Sequence, residues 1–218
     1  MTAEQVCSLL RKKPDAVVAF AGGRTTKPLF AALAEKQKLG EISFSEARFF
    51  QVAEFNQVAY ERSFRFQLEK ELLNKTDWKE ENCTWLTDEN VSTYDEAIAA
   101  AGGIDLLVLG IGVNAHIALN EPATQFDTMC RRQKLTSRTK AQYSWLFGEA
   151  DAPAFGLTMG IRTLVEVRKI IVLAFGEEKS KPVFHMLYAR TDSVYPAAFL
   201  QLARDVDVYL DPAAAKDL

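Results

Sequence analysis

Ile104-Asp105-Leu106-Leu107-Val108-Leu109-Gly110-Ile111-Gly112 is apolar over almost its whole length and ends in closely spaced glycines. A strand of this kind has no polar face to offer water, so it belongs in the middle of a parallel sheet, buried on both sides. Gly102-Gly103 just before it stops an amphipathic segment, 93–101, that reads as a helix. Working outward, Lys169-Ile170-Ile171-Val172-Leu173-Ala174 is a second central strand and Ala16-Val17-Val18-Ala19-Phe20 the first of the chain. Residues 47–52, 83–86 and 206–210 read as further strands, 131–137 as one nearer an edge and 155–158 as a short one. Leu29, Phe30 and Leu33 mark the inner face of a helix to about Lys36, and Phe64, Leu68 and Leu72 mark another through Asn74. A helix after Gly176 carries Lys179, Val183, Met186 and Leu187, and 196–202 is the last helix. Strands alternating with amphipathic segments predict an α/β fold, a parallel sheet with helices on both faces.

The 218 residues contain no repeat, low-complexity tract or Gly/Ser/Pro-rich linker, so a single domain, 1–218, is expected. With 48% apolar and 25% charged residues, disordered and fibrous classes are excluded. Mean hydropathy is −0.09. A balance of 26 Lys and Arg against 29 Asp and Glu gives −3, which leaves no basic footprint for nucleic acid or anionic membrane. Three widely spaced cysteines, Cys7, Cys83 and Cys130, form no metal-binding pattern and suit reduced thiols in a cytoplasmic protein. No apolar run is long enough for a targeting or membrane segment.

In an open α/β sheet ligands bind where the strands end and the helices begin. Two loops fit that position. Gly22-Gly23-Arg24-Thr25-Thr26 joins a buried strand to a helix, and its glycines let backbone N–H groups approach an anion such as phosphate. A tight strand-to-helix turn would use the same two glycines, and the loop is neither a dinucleotide fingerprint nor a nucleoside triphosphate loop. The second loop, Gly112-Val113-Asn114-Ala115-His116-Ile117-Ala118-Leu119-Asn120-Glu121-Pro122, follows the most buried strand. His116 lies five residues from Glu121, with Asn114 and Asn120 available to orient the pair, which is a candidate for general acid–base chemistry. His185, the other histidine, sits between Phe184 and Met186 and reads as structural.

This second loop resembles the signature of glucosamine-6-phosphate deaminase/isomerase and its galactosamine-6-phosphate relatives, a family that includes 6-phosphogluconolactonase at greater distance; the HIALNEP run is the specific part. AFAGGRTTKPLFAAL resembles the family's phosphate loop and helix, FFQVAEFNQV its strand with an Asp-Glu-Tyr, and the stretch from FGLTMG to EEKSKPV its later motifs. PAAFLQLARDVDVYLD resembles the closing unit. The resemblance implies a Rossmann-like parallel-sheet sandwich and an enzyme without metal or organic cofactor. Such an enzyme opens the ring of an amino-sugar 6-phosphate, moves a proton between C2 and C1, and releases ammonia. It further implies that Gly22, Gly23, Arg24, Thr25 and Lys179 hold the phosphate, and that His116 and Glu121 drive ring opening. An arginine of the family's phosphate site has no clear counterpart, with Arg24 or Arg138 as substitutes, a departure shared with galactosamine-type members. Many family members are homo-oligomers; composition does not choose between monomer and dimer here.

Two family aspartates are missing. The base that moves the C2 proton falls on Ala53, and the aspartate that assists His116 falls on Asn114, followed by Ala115 in place of glycine. Alanine cannot accept a proton, whereas asparagine keeps the shape of aspartate without its charge. Glu54 is the nearest replacement, but neighbours on a strand point to opposite faces. Three readings follow: an isomerase/deaminase of reduced activity, a catalytically weakened sugar-phosphate binder or sensor, or a lactonase for a 6-phosphosugar lactone. With no helix-turn-helix ahead of the domain, a DNA-binding sensor is disfavoured.

Overall fold

A computed structural model describes residues 1–147 and 152–218. Six strands form an all-parallel sheet: β1 (Val17–Phe20), β2 (Arg48–Gln51), β4 (Cys83–Thr84), β5 (Leu106–Gly110), β8 (Lys169–Ala174) and β9 (Val206–Leu210), in the order β4-β2-β1-β5-β8-β9. The segment predicted as the central strand lies in the middle of this order. Alternate residues of β5 serve opposite faces: Leu107 and Leu109 join one hydrophobic core, Leu106 and Val108 the other. β1 and β8 split in the same way, which is why all three strands read as unbroken apolar runs.

The helices are α1 (Thr2–Lys12), α2 (Lys27–Lys38), α3 (Phe64–Glu71), α4 (Tyr94–Ala100), α5 (Ser137–Gln142), α6 (Ser144–Phe147), α7 (Ile161–Val165) and α8 (Ser180–Tyr188). Among the described residues no helix is long and apolar enough to cross a membrane. Cys7, Cys83 and Cys130 are free thiols.

Several expectations need correction. The strand predicted over 47–52 is shortened to Arg48–Gln51, after which the chain leaves the main sheet. After Gln51 the chain continues as β3 (Ala53–Phe55), which pairs antiparallel with β7 (Phe155–Thr158). β6 (Arg131–Lys134) pairs antiparallel with the other side of β7, giving a separate three-stranded sheet. Its strands are three or four residues long, too short to declare by periodicity which partner they choose. The strand predicted over 83–86 keeps only Cys83–Thr84. Residues 196–202 form a 3₁₀ helix rather than an α-helix, opened by Pro196.

β1 runs outward to β2 on one side, whereas β5, β8 and β9 lie on the other, so the strand order reverses between β1 and β5. At such a switch point the loops leaving the carboxyl ends diverge and open a crevice. Residues 21–26, 111–122 and 175–179, which follow β1, β5 and β8, all emerge at this end.

Candidate active site

The crevice is a cavity of about 350 Å³ whose wall includes residues 21–26, Gly110, Gly112, His116, Gln142, Tyr143, Trp145, Glu178 and Lys179. Both predicted loops therefore meet in one place, and Gly22, Gly23, Arg24, Thr25, Lys179 and His116 face a common space. Asn114, Glu121 and Ala53 are not among the residues that line it; Asn114 lines a separate surface cavity. Arg24 lines the cavity beside the face of Trp145, 5.5 Å from the ring centroid, whereas Arg138 lines a separate surface cavity. Of these two arginines, only Arg24 lines this cavity.

The glycine loop is built from the backbone upward. Gly22 has no room for a side chain, because a Cβ there would stand 2.7 Å from the ring of Phe64. The backbone N–H groups of residues 22–26 donate to no acceptor among the described residues. Lys179 is 9% exposed, and its ammonium makes no hydrogen bond or ion pair with a described residue. Burial holds its pKa below the ordinary lysine value, Glu178 works in the opposite direction, and the Arg24 guanidinium lowers it further. The cavity thus presents backbone donors and two cations that form no ion pair among the described residues.

His116 is buried, and its ring lies where a side chain on Gly112 would be, 2.3 Å from the position of such a Cβ. Its Nδ1 is 2.6 Å from Asn114 Oδ1 and 3.1 Å from Thr139 Oγ1. Asn114 Nδ2 donates to Glu121 Oε2 at 3.0 Å. A carboxylate only accepts, so the amide must turn its nitrogen to Glu121 and its oxygen to the imidazole. Nδ1 therefore carries the proton and Nε2 keeps a free lone pair. Burial lowers the His116 pKa to about 4, opposed by Glu121 and reinforced by Lys179. The resting imidazole is neutral.

Glu121 is held in turn by the backbone N–H of Thr136 at 2.9 Å and its hydroxyl at 3.1 Å. Asn120 serves the loop rather than the imidazole: its amide donates to Ile117 O and Met159 O and accepts from Arg131. Ala115 adopts φ +61°, a left-handed conformation that explains why glycine suits that position. His185 stacks on Tyr195 at 3.9 Å, away from the cavity, as a structural histidine.

Glu54 does not take over from Ala53. Its Oε1 accepts from the N–H groups of Phe55 and Phe64, and its Oε2 from Arg65 N–H and Gln51 Nε2, all at 2.7–2.8 Å. Burial raises its pKa against these bonds. Two of these four bonds cap α3, which presses Phe64 against Gly22. Ala53 itself packs in an apolar cluster with Leu119, Phe64 and Ala118. Sequence reasoning missed Thr136, Thr139, Gln142, Tyr143 and Trp145, whose one signal was Thr136 as a helix-capping hydroxyl.

Among the described residues no group of three His, Cys, Asp or Glu side chains converges as a metal site would.

Fold and site together define an α/β protein whose glycine loop, a buried lysine and a buried histidine meet in a cavity at the switch point of its sheet. The chain belongs to the family of glucosamine-6-phosphate isomerases/6-phosphogluconolactonase, whose model matches residues 1–209. The glucosamine-6-phosphate deaminase of Hahella chejuensis is 35% identical, the match covering 100% of this chain and 87% of that protein. That of Colwellia psychrerythraea is also 35% identical, over 99% of this chain and 84% of its own. A solved monomeric glucosamine-6-phosphate deaminase superposes with a TM-score of 0.95 at 26% identity, covering 99% of this chain and 93% of that one. 6-Phosphogluconolactonase from Trypanosoma brucei shares the fold, with a TM-score of 0.80 at 20% identity and coverage of 100% and 93%.

Proposed function

We propose that this chain binds a hexosamine 6-phosphate and acts on it as an isomerase/deaminase of reduced activity. One observation carries the reading: His116, its Nδ1 engaged by Asn114, lines the same cavity as Lys179, Arg24 and the N–H groups of residues 22–26, which meet no acceptor among the described residues. With the phosphate in the cradle, Nε2 takes the proton of the sugar's O1 hydroxyl and returns it to the ring oxygen as the O1–C1 carbonyl forms and the C1–O5 bond breaks. Neutral imidazole suits this exchange, since it must accept before it donates.

Moving the C2 proton is a separate task. Ala53 offers a methyl group, and Glu54 is committed to four hydrogen bonds. Loss of a general base lowers a rate by about 10²–10⁴. The slow step is therefore carbon-to-carbon proton transfer, with binding and ring opening retained. The same reading puts the protein in the cytoplasm, where its three free thiols stay reduced.

The test is incubation with glucosamine-6-phosphate and galactosamine-6-phosphate, following ammonia and C2 proton exchange into deuterated water, beside calorimetric titration of both sugars. Binding with slow turnover, lost in His116→Ala, is expected. The triple variant Ala53→Asp, Asn114→Asp, Ala115→Gly should raise exchange and ammonia release at least tenfold. No gain in a folded, ligand-binding variant would overturn the mechanism. Stabilisation by sugar without any exchange would make the chain a binder, the reading favoured by Ala53. Hydrolysis of 6-phosphogluconolactone without amino-sugar turnover would make it a lactonase, a chemistry for which a neutral histidine that activates water needs no C2 base.

A further inference from the structure

His116 is fixed by a closed circuit of side chains in which α5 supplies two members. Asn114 bridges His116 to Glu121; Glu121 is clamped by Thr136, the residue that caps α5; and one turn later Thr139 returns to His116 Nδ1. The two threonine hydroxyls lie 3.4 Å apart, and Thr139 N–H donates to Thr136 Oγ1 at 3.3 Å. Thr139 has no exposed surface, so its hydroxyl has no water to turn to and its orientation is set by this circuit.

The consequence concerns the proton on the imidazole. A neutral histidine chooses between two tautomers, and the one with the proton on Nε2 would place a donor, not a base, in the cavity. Asn114 is an uncharged acceptor and holds Nδ1–H less firmly than an aspartate would. A second oxygen beside Nδ1 compensates, because an N–H can be shared between two acceptors that approach from the same side. Thr139 is in that position, and Thr136 keeps it there.

We propose that Thr139, braced by Thr136, is a positioning residue that locks His116 in the Nδ1–H tautomer and so keeps Nε2 available as the base. The inference rests on the proposed role of His116 only for its effect on turnover; the tautomer itself is a property of the unliganded protein.

The chain has only two histidines, so nitrogen-15 spectra of histidine-labelled protein are assignable with His185→Gln as the reference. Wild type should show a protonated Nδ1 and an unprotonated Nε2 for His116 from pH 5 to 8. Thr139→Val should exchange the Nδ1 proton at least tenfold faster and populate the Nε2–H form, and Thr139→Ser should restore wild-type behaviour. Turnover of the hexosamine 6-phosphate should fall about threefold to tenfold in kcat for Thr139→Val with KM within twofold, again rescued by serine. If Thr139→Val does not fold, Thr139→Ala beside Thr139→Ser makes the same comparison. An Nε2–H tautomer in the wild type, or an unchanged tautomer and exchange rate in folded Thr139→Val, would overturn the proposal. The expected spectra without any turnover in wild type would leave the positioning role standing and remove the catalytic one.

Discussion

Lys179 carries a buried ammonium with no ion pair among the described residues, an arrangement that costs stability and that the proposed binding of a phosphate would offset. Lys179→Met removes the charge and keeps the stem. Its thermal midpoint should be equal to or above that of the wild type, whereas its affinity for a sugar phosphate should fall about tenfold or more, because a charge-assisted contact is lost; calorimetry and a thermal melt check both, and a loss of stability with unchanged affinity would contradict this placement. His116 acts on stability through pH. Its pKa falls from 6.5 in the unfolded chain to about 4 in the native one, so between those values the unfolded state binds more protons. The stabilisation is complete above pH 6.5 and is lost as pH falls toward 4, a change of about 3 kcal/mol. Urea titrations from pH 7 to 4 should show this slope in the wild type and a shallower one in His116→Gln.

At the scale of elements, two short helices decide how the cavity is walled. α3 begins where Glu54 accepts the N–H groups of Phe64 and Arg65 and Ser63 Oγ accepts that of Phe66. These caps satisfy the helix's free donors and deliver Phe64 to the Gly22 backbone. Glu54→Gln turns an amide N–H₂ toward donors, so it should destabilise the fold by about 1–3 kcal/mol in chemical denaturation. The C2 exchange rate of the folded variant should stay within about threefold of wild type, since other than through such capping the carboxylate moves no proton; a loss of two orders of magnitude would make Glu54 the base. α5 does for the imidazole what α3 does for the cradle: its cap holds Glu121, its next turn holds His116, and Gln142 at its end accepts from Val113 N–H and reaches the cavity.

Across the whole molecule, the central strands feed two cores at once, so neither face can loosen alone. We expect a single cooperative transition in which the fluorescence of Trp78 and Trp85, packed against one core, and of Trp145 at the cavity coincides with far-ultraviolet dichroism. Leu107→Ala, in the opposite core from the two packed tryptophans, should lower the midpoint of that same transition by an amount equivalent to about 2–5 kcal/mol. Separate midpoints for the two probes would show that the faces unfold independently.

Much of this architecture was legible in the residues. Unbroken apolar runs at β1, β5 and β8 declare burial on both faces, because any polar side chain there would be stranded from water. The glycines of residues 22–23, the lysine after Gly176 and the His116 motif were expected to share one site, and all of them line the same cavity. Three matters waited for the tertiary structure. Residues 53–55 and 131–134 are too short to encode their partners, so the small antiparallel sheet was invisible. Strand alternation already turned Glu54 away from the face of Ala53, but the four donors that hold it, two of them from α3, appear only in the folded chain. Thr136 and Thr139 lie 20 and 23 residues from His116, and nothing in their local sequence says that a helix brings them back to it. Local chemistry follows from residue type and spacing; which groups share a hydrogen bond depends on packing between segments distant in the chain, and only the folded molecule decides that.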